Sequence, residues 1–320
     1  MTALWSRLAL PLGLSCAIGV GASAPAVAAV LPHGLSAEVT VDRFLPDGSV
    51  PWDGDSIQTA GGVVRGDGQP AAIDLADPFN GAPGGRYQAE AFSAPALNQA
   101  WARVDASSTS GAPGVWTAGA YGASAWYEGV RVGGGAGQGV LAIEFTLEGS
   151  IDIWGPVNAQ GESGLGIVGF NVLTTDAPFD PEDLRVMDGS LAYPCVAGDP
   201  ECGYPDSFTS VGSWSTLARA DESFDTVVRA LVPFTYGETF HLIAALEAGA
   251  YGFEDGAGAE VNFGNSVRVS RVVAPAGAQI ELGSQAYAAY GLTAPVPEPS
   301  AWALMLGGLL ALGGWARRRG

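Results

Sequence analysis

The chain has 320 residues, 47 of them Gly; only 15% are charged, and its 14 basic residues are all Arg. Without a single Lys, P-loop phosphate binding and Schiff-base or pyridoxal chemistry are excluded, because each needs an amine. Between residues 30 and 294, 10 Arg face 32 acidic residues, a net charge of about −22. Such a surface repels nucleic-acid phosphates and anionic lipid headgroups. No nucleic-acid partner is therefore expected, and divalent cations or neutral sugars suit the surface better.

The N-terminus carries Arg7, an apolar run over residues 8–20, and small residues ending in Ala26, Val27 and Ala28. That order predicts a signal peptide over residues 1–29 and export of the remainder of the chain. Cys16 lies inside the leader, and Gly13 stands where a lipidation signal would need Leu. The exported part keeps Cys195 and Cys202, an even pair that predicts one disulfide in an oxidising compartment. The enclosed loop is short and rich in turn formers, and closing it stabilises by about 2.5 kcal/mol.

From residue 31 onward, Gly, Pro, Asp and Asn punctuate the chain every 8 to 15 residues, with period-2 apolar patterns between them. This predicts an all-β ectodomain over residues 30–294, a two-sheet jelly-roll-like β-sandwich of about nine strands. Strands are expected at residues 38–44, 86–92, 125–132, 140–154, 166–173, 226–234, 238–246, 259–263 and 266–273. Residues 95–104 read as the one helix-like stretch, with Leu97, Trp101 and Val104 on one face, or else as loop, and residues 105–114 as a linker or surface loop. The glycine stretch 133–139 reads as a hairpin loop joining strands 125–132 and 140–154. It is no dinucleotide fingerprint, because a strand rather than a helix follows it.

Chemistry-bearing residues are few. The two histidines are His33, near the mature terminus, and His241, which alternation turns away from Phe240 and Leu242, toward solvent or a hydrogen bond. No zinc spacing is present. Gly54-Asp55-Ser56-Ile57 resembles the nucleophile block of the GDSL hydrolases. The late partner would be Glu238 with His241, with Glu where that family has Asp. The family also needs alternating helices and strands, which this pattern lacks, so residues 53–56 are expected to form a turn. No catalytic residue is assigned, since 32 acids satisfy the carboxylate spacing of a glycosidase by chance alone. Candidate calcium ligands are Asp176, Asp180 and Asp183 with Glu182, and Asp47, Asp53 and Asp55, because Ca²⁺ collects oxygens from acidic loops. No other cofactor is expected. Nine Trp and nine Tyr supply material for a sugar-stacking platform.

At the C-terminus, Pro295, Pro297, Glu298 and Pro299 form a stiff extended segment. An apolar run over residues 301–316 comes next, about 24 Å long as a helix. It is read as a single transmembrane helix, stopped by Arg317, Arg318 and Arg319 on the cytoplasmic side. These three ordered parts, residues 295–320, resemble the PEP-CTERM sorting signal of Gram-negative bacteria. The resemblance implies that an exosortase recognises Pro297, Glu298 and Pro299 and cleaves near them. The protein would then be held in the inner membrane in transit and delivered to the cell surface or extracellular matrix. A second resemblance, carried by residues 234–240 and 261–266, is to the closing strands of β-sandwich ectodomains in PEP-CTERM proteins, most of which lack an assigned activity. The expectation is a non-enzymatic surface or matrix protein associated with exopolysaccharide or biofilm. The alternative is a secreted carbohydrate-active enzyme or carbohydrate-binding module. An enzyme should show a deep cleft with two facing acids, and a binder a shallow aromatic strip.

Overall fold

A computed structural model describes residues 31–44, 57–79, 84–107, 118–158, 161–176 and 208–294. The expected leader, the Cys195–Cys202 pair and the sorting signal, with its helix and Arg cluster, all lie outside them. Thirteen strands are found among the described residues: β1 (His33–Phe44), β2 (Ile57–Arg65), β3 (Ala71–Ala76), β4 (Gly85–Ala94), β5 (Leu97–Ala106), β6 (Ala118–Gly133), β7 (Gln138–Trp154), β8 (Gly164–Thr175), β9 (Thr209–Ala218), β10 (Glu222–Thr235), β11 (Thr239–Gly252), β12 (Gly258–Val273) and β13 (Gln279–Leu282). A 3-10 turn at Tyr287–Tyr290 follows. All-β architecture is thus observed, with more strands than the nine expected.

The strands form two antiparallel sheets that pack face to face. The first runs β2-β1-β6-β11-β8-β9, with β13 also on β6, and the second runs β10-β7-β12-β5-β4-β3. Pairing across β5 to β12 is nested: β5 pairs β12, β6 pairs β11, β7 pairs β10 and β8 pairs β9. Each of these partners is therefore far away in sequence except the innermost. The hairpins β1–β2 and β3–β4 extend one sheet each.

Three expectations are corrected. Residues 95–104 are no helix: Pro95 and Ala96 make the turn of the β4–β5 hairpin, with Ala96 at φ 66°, and β5 then alternates strictly. Val104 faces the core while Leu97 and Trp101 face out, since an odd separation on a strand puts residues on opposite faces. Residues 133–139 are no hairpin either. Strand β6 belongs to the first sheet and β7 to the second, so the glycines carry the chain across the sandwich, with Gly134 at φ 83°. Alternation along a strand reports its faces and is silent on its partner, so it cannot reveal this crossing. Residues 259–263 and 266–273 are one strand, β12, interrupted by a bulge between Phe263 and Val267.

The core has a thin end and a thick end. Where β4 and β5 lie over β6, the filling is Ala89, Ala91, Ala100, Ala102 and Ala120. A Cβ on Gly122 there would come within 2.7 Å of the Glu90 carbonyl oxygen and 2.8 Å of that of Trp101. The glycine is required by this close approach of the two sheets. At the thick end, Trp126 stacks on Phe145 with ring centres 6.3 Å apart, and Trp214 packs edge-on to Phe224 at 5.1 Å. Such rings dominate the buried apolar area. Between the two ends Asn98 of β5, fully buried, donates from Nδ2 to the carbonyl oxygen of Ala244 of β11 at 3.0 Å, tying one sheet to the other.

The last described segment closes one end of the sandwich. Glu128, buried on β6, accepts hydrogen bonds from the Ser284 backbone N–H at 2.7 Å, the Ser284 hydroxyl at 2.6 Å and the Tyr290 hydroxyl at 3.1 Å. Tyr290 stands edge-on to Trp126, with ring centres 5.7 Å apart.

Candidate functional site

The second sheet exposes its outer face, and register determines what lies side by side there. One cross-strand row reads Ala72, Glu90, Trp101, Asn262, Ser150 from β3 to β7. The next reads Asp74, Gln88, Arg103, Glu260, Asp152. Both rows consist of the side chains that alternation leaves outside, since Ala89, Ala91, Ala100, Ala102 and Val261 take the inner positions.

Within this face a depression of about 350 Å³ is lined by Glu90, Phe92, Gln99, Trp101, Asn262 and Gly264. It lies beside the bulge that interrupts β12 after Phe263, with Gly264 among its lining residues. Bulges re-aim side chains beside binding sites in this way. Asn262 is oriented by the Gly264 N–H, which donates to its Oδ1 at 3.0 Å.

Trp101 is held in place. Its indole N–H donates to Glu260 Oε1 at 2.8 Å, while the other oxygen of Glu260 accepts from Arg103 at 3.1 Å. Arg103 also donates to both oxygens of Asp105, at 2.9 and 3.1 Å, and lies over the Trp154 ring, 4.9 Å from its centre. The hydrogen bonds to Asp105 raise the guanidinium's already high pKa, so this cation is permanent. The result is a half-buried indole with a locked orientation, amides at Gln99 and Asn262, and a carboxylate at Glu90. Chemically, an apolar ring face beside planar hydrogen-bonding groups suits a pyranose, with its apolar C–H face and hydroxyl rim.

The first sheet hides its outer face. There Glu38 and Glu247 both stand opposite Ala123, on β1 and β11 respectively. Burial, and secondly the negative charge of Glu38, push the Glu247 carboxyl up to about 7. Tyr121 and Tyr251 meet hydroxyl to hydroxyl beside them, and burial pushes both phenols up.

Of the residues singled out from sequence, Asp176 is found at the end of β8, on the rim of a cleft of about 490 Å³ that Glu238, Phe234 and Phe240 also line. Asp47, Asp53, Asp55, Asp180, Glu182 and Asp183 lie outside the described residues. Among the described residues no group of three or more His, Cys, Asp or Glu side chains is arranged to hold a metal ion. His241 does turn away from Phe240 and Leu242, but it faces neither solvent nor a hydrogen bond at Nδ1. It is 7% exposed, packs 5.7 Å from the Tyr127 ring, and its pKa is lowered by burial. His33 opens β1 opposite Glu128. Among the described residues no helix is long and apolar enough to cross a membrane, and the run over residues 301–316 lies outside them.

The sequence patterns assign no binding role to Trp101, Gln99, Glu90 or Asn262: Trp101 is read there as part of a helix face and Asn262 as part of a closing strand. The signal that points to Trp101 and Gln99 is the polar–apolar alternation of residues 97–106, which the helical spacing of Leu97, Trp101 and Val104 obscures. The chain matches no known protein family, no curated protein and no solved structure.

Proposed function

We propose that this chain is an exported surface or matrix protein, sorted by an exosortase through Pro297, Glu298 and Pro299, and that its sandwich binds exopolysaccharide without turning it over. The observation that carries the binding role is the locked, half-buried Trp101 set among Glu90, Gln99 and Asn262 in a shallow depression. The nested pairing of β5 to β12 supports a jelly roll as the finer fold, the eight-stranded form in which sheet faces commonly carry ligands. Residues 301–316 would hold the membrane until processing, Arg317, Arg318 and Arg319 would stop transfer, and Cys195 with Cys202 would form the disulfide. Calcium at Asp176, Asp180 and Asp183 is an optional addition to this scheme.

Affinity electrophoresis in gels containing the producing cell's exopolysaccharide tests the binding role. The full chain should be retarded, and Trp101→Ala should abolish retardation while leaving the thermal midpoint in place; an unretarded native chain refutes it. Mass spectrometry of surface material tests sorting, which fails if residues 301–320 are still attached.

A carbohydrate-active enzyme is the second reading, and it draws on Glu38 and Glu247 flanking Ala123. A carboxyl near 7 beside a second acid is the pairing that glycoside hydrolysis uses. Release of reducing sugar by the native chain that is lost in Glu247→Gln would decide for it.

A further inference from the structure

Strand β10 is the free edge of the second sheet. Strand β7 holds one side of it in unbroken register from Glu222 to Thr235, and no described strand pairs with the other side. Its outward side chains are, in order, Asp225, Val227, Arg229, Leu231 and Pro233. Val227 is 58% exposed and Leu231 52%. Beside them, Val140 stands opposite Pro233, and Ala142 stands opposite both Leu231 and Val273. Val140 is 52% exposed and Val273 40%, so the apolar surface continues inward from the edge. Long exposed apolar edges recruit another strand unless they are guarded by Lys, bulges or central prolines. Here there is no Lys and no bulge in the β10–β7 register, and Pro233 lies near the end of the strand.

The charges on this edge name the partner. Asp225 and Arg229 are both exposed, and neither forms an ion pair with a described residue, although most described Arg side chains do. They lie symmetrically about Val227. An antiparallel strand of the same sequence centred on Val227 sets Asp225 opposite Arg229 of the second copy, and by symmetry Arg229 opposite its Asp225, with Val227 against Val227. Centring on Val228 instead would face Asp225 with Leu231, and centring on Arg229 would face Arg229 with itself. Only the first register is self-complementary in charge, and opposite charges directly across a strand pair stabilise while like charges oppose.

We propose that two copies of this protein associate through β10, edge to edge about a two-fold axis at Val227, so that the second sheet runs continuously from one copy into the other. Twofold pairing of one patch with itself is the commonest route to a closed dimer.

The test uses the full chain in detergent micelles, followed by sedimentation equilibrium. The native chain should form dimers. Asp225→Arg alone and Arg229→Asp alone should each weaken the dimer by roughly tenfold or more, since each sets like charges across the axis twice. Mixing the two single variants should restore a dimer, because each then supplies the charges the other lacks, and the double variant should also dimerise. In a separate arm, Val227→Cys should form a disulfide with itself under mild oxidation, whereas Asp67→Cys, on the far side of the molecule's strand order, should not. A monomeric native chain, single variants that dimerise as well as the native chain, or a mixture that stays monomeric would each overturn the proposal.

Discussion

The two sheets of the sandwich are built alike and treat their outer faces in opposite ways. On the second sheet, β4 and β5 alternate between buried and solvent-reached residues along their length. On the first, β6 is buried almost throughout and β11 nearly so, and Ala123, Ala125, Ile243 and Ala245 are fully covered on the outer side as well. Strict alternation marks a sheet with one wet face; near-continuous apolar runs mark burial on both. The lesson is that charged and aromatic side chains can meet a ligand directly on the second sheet. The first sheet holds its carboxylates under cover, and burial changes their protonation.

The two faces should part most sharply when a charge is introduced. Ala125→Asp puts an unpaired carboxylate between Ser36 and Ala245 on the covered face, and urea unfolding should show a loss of about 3–5 kcal/mol. Gln88→Asp on the wet face, which faces Asp74 on one side and Arg103 on the other, should cost no more than about 1 kcal/mol. Equal losses at the two sites would erase the distinction.

Next in size is a pH effect specific to the covered face. Because Glu247 titrates at about 7 in the folded state and at 4.5 ordinarily, the folded chain holds that proton more tightly than the unfolded one. Stability from this group is therefore full below about pH 4.5 and declines as pH rises through 7. The decline is at most about 3.5 kcal/mol, at roughly 1.4 kcal/mol per unit, and less to the extent that water reaches the carboxyl. Glu247→Gln should flatten the stability profile between pH 5 and 8 in chemical denaturation. An unchanged slope in that variant would show that Glu247 is ordinary.

The smallest effect is expected on the wet face. Arg103→Ala removes ion pairs to Asp105 and Glu260 and the cation over Trp154. Exposed pairs contribute little, so the loss should stay within about 1 kcal/mol. Exopolysaccharide affinity should nonetheless drop, because Glu260 would then orient Trp101 without its second partner. Stability and binding that fall together in proportion would argue that the network is merely structural.

The same difference between faces explains which elements are legible in the sequence. Strand β7 is legible over its whole length because Leu141, Ile143, Phe145 and Leu147 alternate with Glu144, Thr146 and Glu148, and β4, β8, β10 and β11 are readable for similar reasons. Strand β5 hides behind a helical spacing of three apolar residues. Strand β9, with Gly212 and a run of Ser and Thr, carries too little apolar signal, although half-buried Trp214 packs against the core. The candidate site is harder still. Trp101 and Asn262 are neighbours only through the register of β5 against β12, a pairing across half the chain that no local pattern encodes. Sheet membership is illegible for the same reason, and the crossing at Gly134 mimics a hairpin.

The clasp of Ser284 and Tyr290 on Glu128 bears on how this molecule would carry load. Tension applied from beyond Ala294 would meet Leu292 first, packed on the core with its N–H donating to the Tyr287 carbonyl oxygen at 2.8 Å, and then Tyr290. The force would then pass through the hydrogen bonds to Glu128 into β6, a strand paired on both sides in the first sheet. A pull on this end would thus be spread into an inner strand of the first sheet instead of unzipping the domain strand by strand.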